Sequence, residues 1–172
     1  IEFKKSGCTW TGVPIIAANM ATTGTFDVYG ELSKHKIITA LHKFYTVDDY
    51  IRNKDIFNLN HDYYMVSTGI SDADFKNMCE IVNTLHAKWI CIDIANGYID
   101  AFLKFCKKVR TTFPNHIIVA GNVATRKGYE DLADWGAHSV RIGIGGGSIC
   151  STRVQTGHAI LILPPLLEWW GG

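Results

Sequence analysis

The chain has 172 residues, of which 47% are hydrophobic and 19% charged, so it can bury a core of about one domain and is not a disordered chain. Its 17 basic and 16 acidic residues are scattered and leave a formal net charge of +1. Such a charge creates no field that would attract nucleic acid or a membrane surface. We therefore expect no nucleic-acid partner and no membrane partner.

The cysteines and the first residues of the chain indicate its cellular compartment. No apolar run approaches the roughly 18 residues that span a bilayer, and the first residues lack the layout of a signal peptide. Five widely spaced cysteines cannot all pair, and they form no Cys/His metal pattern. A reducing compartment follows, so the sequence predicts a cytoplasmic protein. Because Ile1 is not a methionine, we expect a fragment or a trimmed chain.

Strands and helices alternate in the sequence pattern. Six apolar runs predict strands, at residues 13–20, 37–42, 64–69, 89–94, 117–123 and 139–144. Apolar side chains at helical spacing predict helices between them, containing Phe75, Met78, Cys79, Val82 and Leu85, and then Phe102, Phe105, Cys106 and Val109. Thr46 is a predicted N-cap, and Asp72 and Asp74 suit a helix N-terminus. This alternation predicts an α/β fold with a parallel sheet.

Two parallel architectures compete, a doubly wound sheet and a (β/α)8 TIM barrel. The doubly wound fold calls for G-x-G-x-x-G after the first strand, whereas the glycine cluster here follows the sixth. Polar residues lie instead at or just past the carboxyl ends of successive strands, where a barrel places its active site. They are Asn19, His42, Lys43, Ser67, Thr68, Asp93, Asn96, Asn122 and Cys150. We predict a TIM-barrel type that is incomplete, with about six of its eight strands.

The glycine cluster leads into a cysteine. Residues 141–153 run from a strand into a turn that holds Gly143, Gly145, Gly146 and Gly147 before Cys150. Glycines let the backbone approach a ligand or an ion closely, and a thiol on such a turn is placed to act as a nucleophile. A buried, inert cysteine in a tight strand-to-helix connection would have the same composition. The residues alone leave both interpretations open.

Residues 143–153, with Thr156 and Gly157, resemble the catalytic cysteine loop of the IMP dehydrogenase/GMP reductase family. Four further segments resemble the reductase branch: residues 13–26, 40–45, 65–69 and 91–98. The likeness runs from about residue 3 to residue 157, roughly the first half of such an enzyme. It implies a partial TIM-barrel catalytic domain over residues 1–157 and an atypical apolar tail over residues 158–172. The tail either covers a sheet edge or is a non-native ending, and we favour the ending.

The resemblance implies the reductive deamination of GMP to IMP and ammonia by NADPH, in purine nucleotide salvage. Cys150 matches the nucleophile that forms a covalent thioimidate, Thr152 matches the proton relay, and Lys43 matches a lysine near the amino group and the cofactor. The cofactor-binding positions implied are Lys43, Asp93, Ile94, Ala95, Ile144 and Gly145. A potassium ion is implied at Gly145, Gly147 and Cys150, with Arg153 nearby. The intact family implies a homotetramer.

Some positions depart from the family pattern. Ala21 stands where an aspartate is usual, Phe44 where a second histidine is usual, and Gly146 where a proline is common. The glutamate that completes the family's relay and the phosphate site on the last strands have no counterpart, so we expect the chain alone to bind GMP poorly and to turn over negligibly. Two alternatives remain: a relative of IMP dehydrogenase, and a non-catalytic barrel fragment that associates with intact subunits.

Overall fold

A computed structural model describes residues 1–4, 6–95, 100–146 and 150. The chain forms two compact units. The first comprises Ile1–Ile92 and Pro114–Ile117, and the second comprises Asp93–Phe113 and the chain from Ile118 onward. The predicted boundary at residue 157 lies outside the described residues, so that division remains a prediction.

The described residues form a short antiparallel hairpin and six parallel strands. The strands are β1 (Glu2–Phe3), β2 (Cys8–Thr9), β3 (Ile16–Ala17), β4 (Ile38–Leu41), β5 (Tyr64–Thr68), β6 (Trp89–Asp93), β7 (Ile117–Val123) and β8 (Ser139–Ile142). The hairpin joins β1 to β2, and the parallel strands follow one another in chain order. Each of the six predicted strands is therefore present.

The first parallel strand is much shorter than the run that predicted it. Only Ile16 and Ala17 pair with β4. Pro14 lacks the N–H that a ladder needs, and the backbone turns at Met20, whose carbonyl accepts the N–H groups of Thr23 and Gly24. The apolar run at residues 13–20 therefore predicted a longer strand than the backbone forms.

Five α-helices lie among the described residues. They are α1 (Phe26–Leu32), α2 (Val47–Asn53), α3 (Asp72–Leu85), α4 (Asp100–Thr112) and α5 (Arg126–Asp134). The two predicted helical faces fall in α3 and α4, and Thr46 is the N-cap of α2 as predicted, with a capping box to Asp49. In this part of the chain, none of the helices has both the length and the apolar character needed to cross a bilayer.

The first unit packs around strands that are buried on both faces. Every residue of β4 and β5 is buried, and the two strands pair with Ala40 opposite Met65. Tyr64 contacts the rings of Tyr29 and Tyr50, each 1% exposed. Burial on both faces explains why these strands read as nearly continuous apolar runs.

The hairpin covers the amino end of β6 within the same unit. Phe3 and Trp10 both meet the Trp89 ring edge-on, with centroids 5.3 Å and 6.0 Å away. The Trp10 indole N–H donates to the Asp62 carbonyl at 2.9 Å, and the Lys88 ammonium binds the Asp62 carboxylate at 2.6 Å. The hairpin is thereby fixed at the end of the strand that is opposite to the predicted active-site end.

The second unit is built around α4, α5 and the strands β7 and β8. The buried face of α4 consists of the four predicted residues, Phe102, Phe105, Cys106 and Val109. Arg110 of α4 donates to the Gly136 carbonyl from Nε at 2.9 Å and from Nη2 at 2.6 Å. These bonds fix the turn between α5 and β8, and so the start of the strand that leads to the cysteine loop.

Candidate active site

The five cysteines differ in exposure. Cys91 and Cys106 are buried, and burial raises the pKa of the Cys106 thiol to about 12, which keeps it protonated and unreactive. Cys150 is half-exposed, as are Cys8 and Cys79 in the first unit. The Cys150 thiol therefore differs from the fully buried cysteine of the inert alternative. Gly147, Thr152 and Arg153, predicted to act with it, lie outside the described residues.

The backbone before Cys150 adopts conformations that favour glycine. Gly143 has φ of 121° and Gly145 has φ of 63°, both in the left-handed half of the map. The Gly143 N–H donates to the Val123 carbonyl at 2.8 Å, and the Asn122 side-chain amide donates to the Gly143 carbonyl at 2.8 Å. Asn122, predicted at the site because of its place near a strand end, thus anchors the start of the cysteine loop. Ile144, the next residue, is buried.

Asp93 ends β6 and forms an ion pair with Arg141 of β8. The Arg141 guanidinium donates from Nη1 to Asp93 Oδ1 at 2.6 Å, and each side chain is about one-third exposed. The pair holds a carboxylate at the carboxyl end of a strand, where a ligand hydroxyl can reach it. Arg141 was not predicted as a site residue.

Gly121 makes this arrangement possible. A Cβ at Gly121 would lie 2.6 Å from both the Cβ and the carbonyl oxygen of Arg141. The backbone around it also orders the residues that follow Asp93: the Ile94 N–H donates to the Gly121 carbonyl, and the Asn122 N–H donates to the Ile94 carbonyl, both at 2.9 Å. Ala95 is exposed beyond them. A glycine inside a buried strand signals such a close approach, and this signal could have identified Gly121 from the sequence.

Lys43 belongs to the first unit and follows β4. A Cβ at the buried Gly69, just past β5, would lie 3.2 Å from Lys43 Nζ and would overlap the Asp74 carboxylate. Gly69 therefore leaves a notch that the ammonium and the carboxylate flank. Asp74 is also the capping-box residue of α3, where its Oδ2 accepts the Ser71 hydroxyl at 2.7 Å. The start of α3 and the position of Lys43 thus depend on the same glycine.

His42 lies beside this lysine and packs on aromatic rings. Its ring stacks on Tyr45 with centroids 3.8 Å apart and planes 21° apart, and its backbone N–H donates to the Gly24 carbonyl at 2.9 Å. His42 Nδ1 is buried, and among the described residues it has no hydrogen-bond partner. Burial lowers the pKa of His42, an effect that outweighs the attraction of the Asp49 carboxylate. The neutral ring is therefore the form that this packing favours.

The lowered pKa of His42 predicts a dependence of stability on pH. Below its ordinary value of 6.5, the unfolded chain takes up a proton on this ring more readily than the folded protein does. The free energy of unfolding should therefore fall as the pH drops below that value, while above it His42 makes no pH-dependent contribution. Urea unfolding at about pH 7.5 and about pH 5.5 measures the fall, which should be smaller in His42→Gln. An equal fall in both proteins would contradict this role for His42.

The sequence matches the family model of the IMP dehydrogenase / GMP reductase domain over residues 9–163. Curated relatives include the GMP reductase of Photobacterium profundum, 48% identical over 170 residues, and that of Escherichia coli O81, also 48% identical. Each alignment covers 96% of this chain and 48% of the relative. The chain thus spans about half the length of these relatives.

The fold resembles a solved IMP dehydrogenase from Legionella pneumophila. The TM-score is 0.78 and the identity 31%, over 90% of this chain and 46% of that one. This match confirms the predicted α/β fold of the incomplete TIM-barrel type. With the family model covering most of the sequence, the chain belongs to the IMP dehydrogenase/GMP reductase family.

Proposed function

We propose that the protein is a GMP reductase that converts GMP to IMP and ammonia with NADPH, in purine nucleotide salvage in the cytoplasm. The observation that carries this proposal is the 48% identity to GMP reductases across 96% of the chain. The solved IMP dehydrogenase is 31% identical. Because the chain spans about half of the relatives, the activity is proposed for the intact protein that carries this sequence, and a homotetramer remains a prediction for it.

In the proposed reaction, the Cys150 thiolate adds to C2 of the purine. The amino group at C2 takes up a proton and leaves as ammonia, which gives a covalent thioimidate. C2 then accepts a hydride, the Cys150 sulfur leaves, and IMP forms. GMP, NADPH and two protons thus give IMP, NADP⁺ and ammonium. Thr152 is proposed to carry the protons, as the resemblance implies.

An NADPH site at the ends of the strands is proposed, as the resemblance implies. Asp93 offers a carboxylate that Arg141 already holds in place, and a carboxylate accepts hydrogen bonds from hydroxyl and amide groups of a ligand. Ile94 and Ala95 follow it with a fixed backbone and a small exposed side chain. We propose that these residues, with Lys43, Ile144 and Gly145, hold the cofactor, which supplies the hydride when bound. Lys43 would stabilise negative charge there.

A potassium site is proposed at the cysteine loop. Backbone carbonyls are ligands that suit hard cations, and the left-handed φ of Gly145 supports a turn that can direct carbonyls inward. Gly145 and Cys150 are described, whereas Gly147 and Arg153 are not. In the described ranges no three His, Cys, Asp or Glu residues cluster as a side-chain metal site, so the donors proposed are backbone oxygens.

The proposal is tested by supplying two substrate pairs to the intact protein. NADPH oxidation with GMP is the expected activity, and NAD reduction with IMP should be much slower. The reverse preference would identify a dehydrogenase. If neither reaction occurs but the protein co-purifies with an intact reductase subunit, the non-catalytic alternative is correct.

A further inference from the structure

Phe44 is a large aromatic side chain that faces solvent next to Lys43. Its exposed fraction is 71%, although both Lys43 and Tyr45, its neighbours in the chain, are half-buried. Single exposed apolar side chains are common on protein surfaces, but aromatic rings are enriched where a protein binds a partner with a flat apolar face. The surroundings of this ring therefore decide whether it can serve a ligand.

Packed aromatic rings hold the Phe44 side chain in place. The Phe44 ring lies 5.8 Å from the His42 ring at a tilt of 48°, and His42 stacks on Tyr45 at 3.8 Å. Tyr45 in turn packs 4.4 Å from the Phe26 ring, which is 3% exposed. A continuous series of rings thus connects the exposed Phe44 to the core of the first unit, so the ring is held by a rigid base.

A cation accompanies the exposed ring. Lys43 Nζ lies over the Phe44 ring at 5.7 Å from its centroid, close to the limit of about 6 Å for cation–π contact. The attraction at that distance is weak, so the ammonium can move aside at little cost when a ligand ring stacks on this face. Together the two side chains present a flat apolar face beside a hydrogen-bond donor.

We propose that Phe44 is a ring-stacking residue of the nucleotide site, which takes a flat heteroaromatic ring whose carbonyl group points toward the Lys43 ammonium. This inference rests on the proposed function. Two ligands there carry such a ring, the nicotinamide of the cofactor with its carboxamide and the guanine of GMP with its carbonyl. Base–aromatic stacking tolerates either, and the ammonium selects for the carbonyl acceptor.

The matched control is Ile56. Its exposed fraction is 73%, nearly that of Phe44, and it also belongs to the first unit. Phe44 precedes the N-terminus of α2, whereas Ile56 follows the C-terminus of that helix, so the two side chains lie at opposite ends of it. If removing exposed apolar surface has a general effect on nucleotide binding, variants at both positions will show it. If Phe44 contacts a ligand, only the Phe44 variant will bind more weakly.

The experiment measures nucleotide binding in the intact protein that carries this sequence. NADPH is titrated by its fluorescence and GMP by calorimetry, in the wild type and in Phe44→Leu, Phe44→Trp, Ile56→Ala and Lys43→Met. Leu keeps an apolar side chain but removes the π face, so we expect about fivefold weaker binding of one nucleotide in Phe44→Leu. Phe44→Trp should bind at least as tightly as the wild type, and Ile56→Ala should not change. Thermal unfolding checks that each variant is folded.

The outcomes separate the two ligands and the two proposals. Weaker NADPH binding with unchanged GMP binding assigns the ring to the cofactor, and the converse assigns it to guanine. If Phe44→Leu binds both nucleotides like the wild type while Lys43→Met loses NADPH, the stacking role is wrong and the proposed function stands. If the wild type binds neither nucleotide, both proposals are wrong.

Discussion

Replacing Cys150 by alanine is expected to abolish GMP reduction in the intact protein while leaving GMP binding largely intact. The proposed reaction has no covalent intermediate without the sulfur, and loss of a nucleophile typically costs about four powers of ten in rate or more. Binding should survive because the substrate is held mainly by contacts other than the nucleophile. Single-turnover assays with NADPH give the rate, and calorimetry with GMP gives the affinity.

Cys79→Ala is the control for this experiment. Cys79 is also half-exposed, but it belongs to α3 of the first unit and does not follow a glycine cluster. Its substitution should leave the rate within about twofold of the wild type, as most surface changes do. Turnover that persists in Cys150→Ala would remove the nucleophile from the proposal and with it the thioimidate.

Replacing Gly121 by alanine is expected to destabilise the second unit, lowering the free energy of unfolding by about 2–3 kcal/mol. The added Cβ would lie 2.6 Å from the Arg141 carbonyl oxygen, and backbone cannot move aside as the end of a flexible side chain can. Relief of that overlap requires β7 and β8 to separate where Gly121 faces Arg141. The ion pair between Arg141 and Asp93 should be lost as a result.

Urea unfolding measures this loss, with Arg141→Gln as the matched control. The Arg141→Gln variant removes the charge but adds no atom next to Gly121, so it tests the ion pair without the overlap. Because the pair is about one-third exposed, its removal alone should cost much less than the alanine does. If Gly121→Ala and Arg141→Gln lower the free energy of unfolding by the same amount, the backbone relieves the overlap without strain.

Periodicity predicted the elements that bury a broad apolar face and missed those that do not. The faces of α3 and α4 repeat apolar residues every three or four positions, and both helices were predicted. In α5 the buried residues are Gly128 and Leu132, too few for a pattern, although Thr125 caps the helix. The hairpin strands β1 and β2 have two residues each, which is too short for any alternation to appear. Capping threonines before α1 and α5 were the available signals.

The candidate site likewise contains residues that the sequence predicted and contacts that it did not. The strand-end pattern placed Cys150, Lys43 and Asp93 where a barrel has its active site, and the resemblance to the family implied their roles, because short motifs carry that information locally. The pairing of Asp93 with Arg141 joins residues 48 positions apart, and no local pattern encodes it. The notch at Gly69 likewise forms where Lys43, Gly69 and Asp74, from three separate segments, come close together, and no local pattern encodes this.

The hairpin at the amino end of β6 gives the first unit a built-in spectroscopic probe. Trp10 and Trp89 meet at 88°, so each indole lies in the ring-current field of the other. With fluorinated tryptophan, the fluorine resonances of both residues should move together when the hairpin detaches. Trp135 lies in the second unit, and its resonance would track that unit separately. The order in which the two units open during denaturation can therefore be read from one series of spectra.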